Sequence, residues 1–173
     1  TSPTGYERDT AQNATSETTI AADGSSILKV YYKLIRYTFV FDANGPTYDS
    51  IFTTNGKITI NGHEYVNKTY TIDNVVLGQD ISTTWPSGTQ VSSDDWWTSG
   101  HHFYGWRPIK NNVTVGDVLN ITKRFEVTAD LVEAADSQHK VTYQSYWLRN
   151  GYSYTVNYYL QDENRDYQLS DKY

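Results

Sequence analysis

A chain of 173 residues is the size of one domain or two small ones, and it can bury a core without covalent staples. Its 14 basic and 20 acidic side chains leave a formal charge of -6, which repels a phosphate backbone and excludes nucleic acid as an expected partner. With no cysteine, disulfides and thiolate metal sites are excluded too, while 16 Tyr, 5 Trp and abundant Val, Ile and Thr favour strands over helices. No methionine occurs, not even at position 1, which suggests a segment of a longer, processed chain. No apolar run approaches the roughly 18 to 20 residues that cross a bilayer, and no charged-then-apolar leader is present. No membrane contact is therefore expected from this segment, and any address or anchor is expected outside it.

Residues 1–19 are rich in Thr, Ser, Asn, Asp and Glu, a composition that cannot offset ordering entropy unless it lies along a neighbouring sheet. A loosely held arm is expected. Ala22-Asp23-Gly24-Ser25 signals a turn. Beyond it Leu28, Val30, Tyr32 and Leu34 share one face of an extended chain and Lys29, Tyr31 and Lys33 the other, the period of a half-buried strand. The alternation restarts on the opposite parity at Tyr37, Phe39 and Phe41, so a second strand follows and ends at Ala43-Asn44-Gly45-Pro46.

Residues 46–55 read as a loop with a few apolar anchors. Ile58 and Ile60 alternate with Thr59 before Asn61-Gly62, a strong hairpin signal, and Tyr70, Ile72, Val75, Val76 and Leu77 extend the sheet. A short helix is expected near residues 80–85, where Asp80, Ser82 and Thr83 offer capping oxygens and Pro86 closes the turn. A Ser/Thr/Gly loop over 87–100 carries Asp94, Asp95, Trp96 and Trp97. His102 to Pro108 reads as a strand and Asn111-Asn112 as a turn. Phe125, Val127, Ala129 and Leu131 alternate as a strand, as do Val141, Tyr143, Ser145 and Trp147, and finally Tyr154, Val156, Tyr158 and Leu160.

Several stretches resemble modules of Gram-positive surface proteins. TTIAADGSSILKVYYK (18–33) resembles the closing part of a mucin-binding-protein-type domain, and YTVNYYLQDENRDYQLSDKY (154–173) the opening of another. YTFVFDANG (37–45) and HFYGW (102–106) resemble the internalin B-type, or Listeria-Bacteroides, repeat. The resemblance implies three units: 1–35 as the tail of a mucin-binding-type module, 36–149 as an internalin-type β-grasp repeat with inserted loops, and 150–173 as the head of the next module. Each half module presents a strand lacking its usual partner, so 150–173 could pair with 20–35, within one molecule or between neighbours. The implied fold is β-rich (α+β), with β-grasp-like sheet units and at most one short helix. The implied role is a non-catalytic spacer and adhesion repeat on the cell surface, contacting host or microbial glycoprotein and neighbouring modules of the same chain.

Chemistry-bearing patterns are sparse. His63, His101, His102 and His139 accompany many Ser and Asp residues, but no Gly-x-Ser-x-Gly elbow, His-Glu-x-x-His motif or phosphate-cradling Gly-rich loop is present, so no catalytic residues and no cofactor are expected. Asp94-Asp95 and Asp162-Glu163-Asn164 supply hard oxygens suited to calcium without EF-hand spacing, and adjacent acids in polar turns are usually solvated, so no metal site is expected. Lys29 and Lys33 are read as solvated rather than as partners in a covalent cross-link. For a glycan, Trp96, Trp97 and Tyr104 could stack on sugar C–H faces, with Asp94 and Asp95 as hydroxyl partners. Trp85 and Trp106 are assigned to the core. Adjacent side chains on an extended backbone diverge, so one of Trp96 and Trp97 is expected toward solvent.

Overall fold

The computed structural model describes residues 2–12, 22–44, 56–66, 69–93, 100–120, 126–151 and 153–169. In chain order these form β1 (Tyr6–Arg8), β2 (Tyr32–Leu34), β3 (Tyr37–Asp42), β4 (Gly56–Ile60), β5 (His63–Val66), β6 (Thr69–Val75), a 3-10 turn (Gly88–Gln90), β7 (Val91–Ser93), β8 (His101–Lys110), β9 (Val113–Thr114), helix α1 (Ala129–Val132), β10 (Lys140–Arg149), β11 (Tyr159–Gln161) and β12 (Tyr167–Leu169). The fold is β-rich, and α1 is the one short α-helix among the described residues. A five-stranded sheet runs β6-β3-β10-β8-β9 and a three-stranded sheet runs β5-β4-β7, while β1 pairs with β2 and β11 with β12.

The hairpins follow from their turn residues. Asn61-Gly62 joins β4 to β5 with φ of 50° and 80°, and Asn111-Asn112 joins β8 to β9 with φ of 53° and 62°, the paired positive values of a type I′ turn. At the centre of the large sheet β3 and β10 lie parallel, with Thr38 to Asp42 opposite Lys140 to Gln144. Both strands bury alternate residues: Tyr37, Phe39 and Phe41 on β3, and Val141, Tyr143, Ser145 and Trp147 on β10. This face carries the core, joined by Ile58 and Ile60 of β4, Val91 of β7, and Ile81, Trp85 and Leu131 from the connections.

Aromatic rings fill most of that core. Phe41 lies flat against Tyr143, with centroids 5.3 Å apart and planes at 16°, and meets Trp85 and Trp106 edge-on at 4.8 and 5.0 Å. The offset and edge-on arrangements suit the ring quadrupoles. Two of the indoles have hydrogen-bond acceptors: Trp147 Nε1 donates to Ser145 Oγ at 3.0 Å, whose hydroxyl donates to the Ala43 carbonyl at 2.6 Å. Trp106 Nε1 donates to the Pro86 carbonyl. Gly56 presses against Ala43, and a Cβ there would run into the Ala43 carbonyl, so glycine is required where β4 meets the end of β3.

Three sequence expectations change. The chain closes a single turn at 81–85, through Trp85 N to the Ile81 carbonyl at 2.8 Å, but the regular helix is at Ala129–Val132, in the segment whose alternation predicts a strand. Val127, Leu131 and Ala134 are buried there, a spacing of four and three that a helix serves and the apparent period of two conceals. Second, Leu28, Val30, Tyr32 and Leu34 are all exposed, and only Tyr32–Leu34 is strand. Its partner is β1, so residues 6–8 of the expected loose arm are ordered along it. Third, Tyr154, Val156, Tyr158 and Leu160 are exposed and the strand begins only at Tyr159. Among the described residues the buried apolar side chains lie between Tyr37 and Trp147, with Ile35 packed partly buried against them. Among the described residues no ladder joins the N-terminal pair to the C-terminal pair.

The Tyr143 hydroxyl donates to the Leu131 carbonyl at 2.8 Å, and burial pushes its pKa far above the ordinary tyrosine value. The folded chain thus keeps this proton where an unfolded chain, titrating near pH 10, releases it. The contribution is intact below about pH 10 and is lost as pH rises beyond it. Tyr143→Phe is expected to cost about 1–3 kcal/mol at neutral pH by orphaning the Leu131 carbonyl, and to make the alkaline fall in stability shallower by up to about 1.4 kcal/mol per pH unit. Urea titrations at neutral pH and above pH 10 measure both.

Candidate functional site

Two concavities border the core. The first is an open groove of about 450 Å³ where β7 and the 3-10 turn face the start of β8, lined by Thr89, Ser92, Ser93, His101, Phe103 and Trp147 among others. Its construction follows from register. Phe103 lies opposite Trp147 in the β8–β10 ladder, on the core parity, and their rings meet edge-on at 5.9 Å. His102 Nδ1 is 2.7 Å from Asn150 Oδ1, and Asn150 N donates to the Gly100 carbonyl at 2.7 Å, so the entry to β8 is fastened to the exit of β10. On the other side Ser87 and Gln90 form a reciprocal capping box around the 3-10 turn. The groove thus has an aromatic floor and a hydroxyl- and imidazole-bearing rim.

Residues 94–97, which include the expected ligand-binding Asp94, Asp95, Trp96 and Trp97, lie outside the described residues. Of the described residues on either side of that segment, Ser93 and His101 line the groove. Tyr104 is placed elsewhere. The β8–β10 ladder shifts register between Tyr146 and Trp147, pairing Gly105 with Tyr146 and Phe103 with Trp147, and Tyr104 is the extra residue of that bulge. The bulge puts Tyr104 on the outer face of the sheet, edge-on to Tyr146 at 6.3 Å, with the Arg107 guanidinium 4.0 Å over the Tyr146 ring. Tyr104 therefore belongs to a small cationic–aromatic patch and not to the groove. Trp106 and Trp85 are buried, as the sequence predicts.

The second concavity, about 480 Å³, lies between the β8–β9 hairpin and α1, with Leu119, Leu131 and Tyr143 as apolar walls and Lys110, Asp117, Asp130 and Glu133 at its edge. It was invisible in the sequence because its members come from three separate segments with no shared motif. The alternation of β8 and β10 could have indicated the first groove, since it places Phe103 and Trp147 on one parity.

Among the acids whose oxygens would suit calcium, Asp162 turns its carboxylate onto its own backbone, accepting from Asn164 N and Asp166 N at 2.9 Å each. Among the described residues no group of three or more His, Asp or Glu is arranged to hold a metal ion, and no helix is long and apolar enough to cross a membrane. Lys33 lies 3.2 Å from Glu7, which also approaches His139 at 3.5 Å. The hydrogen bond from Lys33 holds the Glu7 carboxyl below its usual range.

Comparison of the chain with protein-family models, with curated proteins and with solved structures finds no match.

The geometry separates ring loss on the outer face from ring loss at the groove. Tyr104→Ala removes one edge-on contact and is expected to cost no more than about 1.5 kcal/mol. Trp147→Ala removes groove floor and core together, at about 3–5 kcal/mol. Chemical denaturation of the two variants is the measurement.

Proposed function

We propose that this chain is a non-catalytic spacer and adhesion repeat module of a large Gram-positive cell-surface protein, working outside the cell without cofactor or metal, and that its core sheet is built to carry tension. The observation that supports this reading is the parallel pairing of β3 with β10 at the sheet centre. Toward the N-terminus the chain leaves the sheet at Tyr37, the start of β3; toward the C-terminus it leaves at Arg149, the end of β10. Force along the chain then pulls two adjacent parallel strands in opposite directions along their own length. Their hydrogen bonds share the load together instead of opening one after another, and the Phe41–Tyr143 stack lies across the same pair.

The resemblances at 18–33, 37–45, 102–106 and 154–173 supply the surface-protein context. A spacer that holds a binding tip away from a wall needs this resistance and needs no active site. Single-molecule pulling tests it, since forced unfolding reports the barrier in the pulled direction. Pulled through its two ends, the β3–β10 core is expected to give way at a clearly higher force than when pulled between Arg36 and Val76. That second geometry peels the antiparallel β3–β6 ladder from the end where Tyr37 faces Val75. Equal forces would remove the load-bearing reading.

A second reading, a carbohydrate-binding module, is favoured by the groove between β7 and the start of β8. An aromatic floor of Phe103 and Trp147 with Ser, Thr and His at the rim suits a sugar, whose apolar face stacks while its hydroxyls exchange hydrogen bonds. Glycan-array binding that is lost in Trp96→Ala or Trp97→Ala and kept in Tyr104→Ala would promote this reading; an array without signal would leave the spacer alone.

A further inference from the structure

The described surface carries two apolar stretches that the core does not use, and they differ in charge. On the β1–β2 pair, Tyr6 faces Leu34 and Arg8 faces Tyr32, while Glu7 faces Lys33. Glu7 and Lys33 turn toward the body, where Glu7 meets His139, and Gly5 is buried against Leu77. The other face of this pair, Tyr6, Tyr32 and Leu34, therefore looks away from the molecule. Val30 and Leu28 continue it on the same parity, Leu28 at 74% exposure. With Lys33 paired to Glu7, residues 27–36 still carry Lys29 and Arg36 and no acid, and Arg8 lies opposite Tyr32 on the outer face, which makes this a basic stretch in a chain that is acidic as a whole.

The C-terminal hairpin is the counterpart. Tyr159 faces Leu169 and Gln161 faces Tyr167 across β11–β12, which puts Tyr159, Tyr167 and Leu169 on one face, at 56%, 67% and 61% exposure. The loop between the strands carries Asp162, Glu163 and Asp166 against Arg165. Among the described residues β2 has a ladder on one edge only, that with β1. Its other edge is open, and an open edge pairs with whatever edge approaches it.

We propose that the basic apolar stretch 27–36 of one copy of this chain receives the acidic β11–β12 hairpin of a second copy, which adds to the open edge of β2. Charge selects this arrangement over the alternatives. Two basic stretches repel each other, as do two acidic loops, whereas one of each attracts and lets the tyrosine and leucine faces close over one another. Because the two surfaces are different patches, the contact is head-to-tail and leaves a free patch at each end, so it propagates. A small patch of this kind belongs to the weak regime of association, and its effect is multiplied where copies are held close together.

Sedimentation velocity on the full chain, from roughly 10 μM to 1 mM, tests it with two variants: Val30→Glu with Tyr32→Glu, and Tyr159→Arg with Tyr167→Arg. The unmodified chain is expected to grow past a dimer, its weight-average mass rising more than about twofold. Each variant alone stays monomeric, and an equimolar mixture forms a one-to-one dimer and stops there, since each variant keeps the surface the other has lost. All four positions lie outside the core, so tryptophan fluorescence should match the unmodified chain. If a double variant fails that check, the single changes Leu28→Glu and Leu169→Arg, at two exposed leucines, replace it. A chain that stays monomeric at the highest concentration, a dimer that does not grow, variants that associate like the parent, or a mixture without a heterodimer would each overturn the proposal.

Discussion

The Phe41–Tyr143 stack holds the molecule's geometry in place. Phe41 comes from β3 and Tyr143 from β10, 102 positions away in sequence and paired in the parallel ladder, and both are fully buried. Parallel neighbours cannot be joined by a tight turn, so everything between them must leave the sheet and return. In doing so the chain supplies the second layer, with Ile58, Ile60 and Val91 from the small sheet and Trp85 edge-on to Phe41, while Trp106 of β8 meets Phe41 edge-on from within the large sheet. Aromatics do this work because the chain is short of leucine and has no methionine. Large planar rings fill the space between two small sheets with few side chains, and buried Trp147 and Trp106 have acceptors for their N–H groups.

Concavities then arise where the aromatic layer runs out. At one end Phe103 and Trp147 extend the core just past β7 and become the floor of a groove. At another, Tyr143 and Leu131 do the same beneath Asp117, Asp130 and Glu133. The bulge at Tyr104 is the local device that divides surfaces: one extra residue sends Tyr104 outward to Tyr146 while Phe103 and Trp106 stay in the interior.

The terminal stretches show that an apolar alternation is not the same thing as a core strand. Residues 28–34 and 154–160 alternate in sequence as cleanly as 37–42, yet their apolar side chains stay exposed. Burial needs two surfaces, and the second is a property of the assembled chain. The helix misplacement has the same origin. The Asp80 carboxylate does accept from Ser82 N at 3.0 Å, but the chain there closes only a single turn, and the regular helix forms where Leu131 and Ala134 reach the core.

What the sequence by itself determined is the local geometry: the β-rich class, the turns at Asn61-Gly62 and Asn111-Asn112, the facing of β3 and β10, and the burial of Trp85 and Trp106. These rest on φ preferences and on a period of two, which act within a few residues. Which strands lie parallel, where Tyr104 points and which apolar faces stay exposed were decided by the tertiary structure alone. Alternation names the side chains that share a face, but the layer that covers a face comes from distant segments, and one added residue in a ladder exchanges inside for outside.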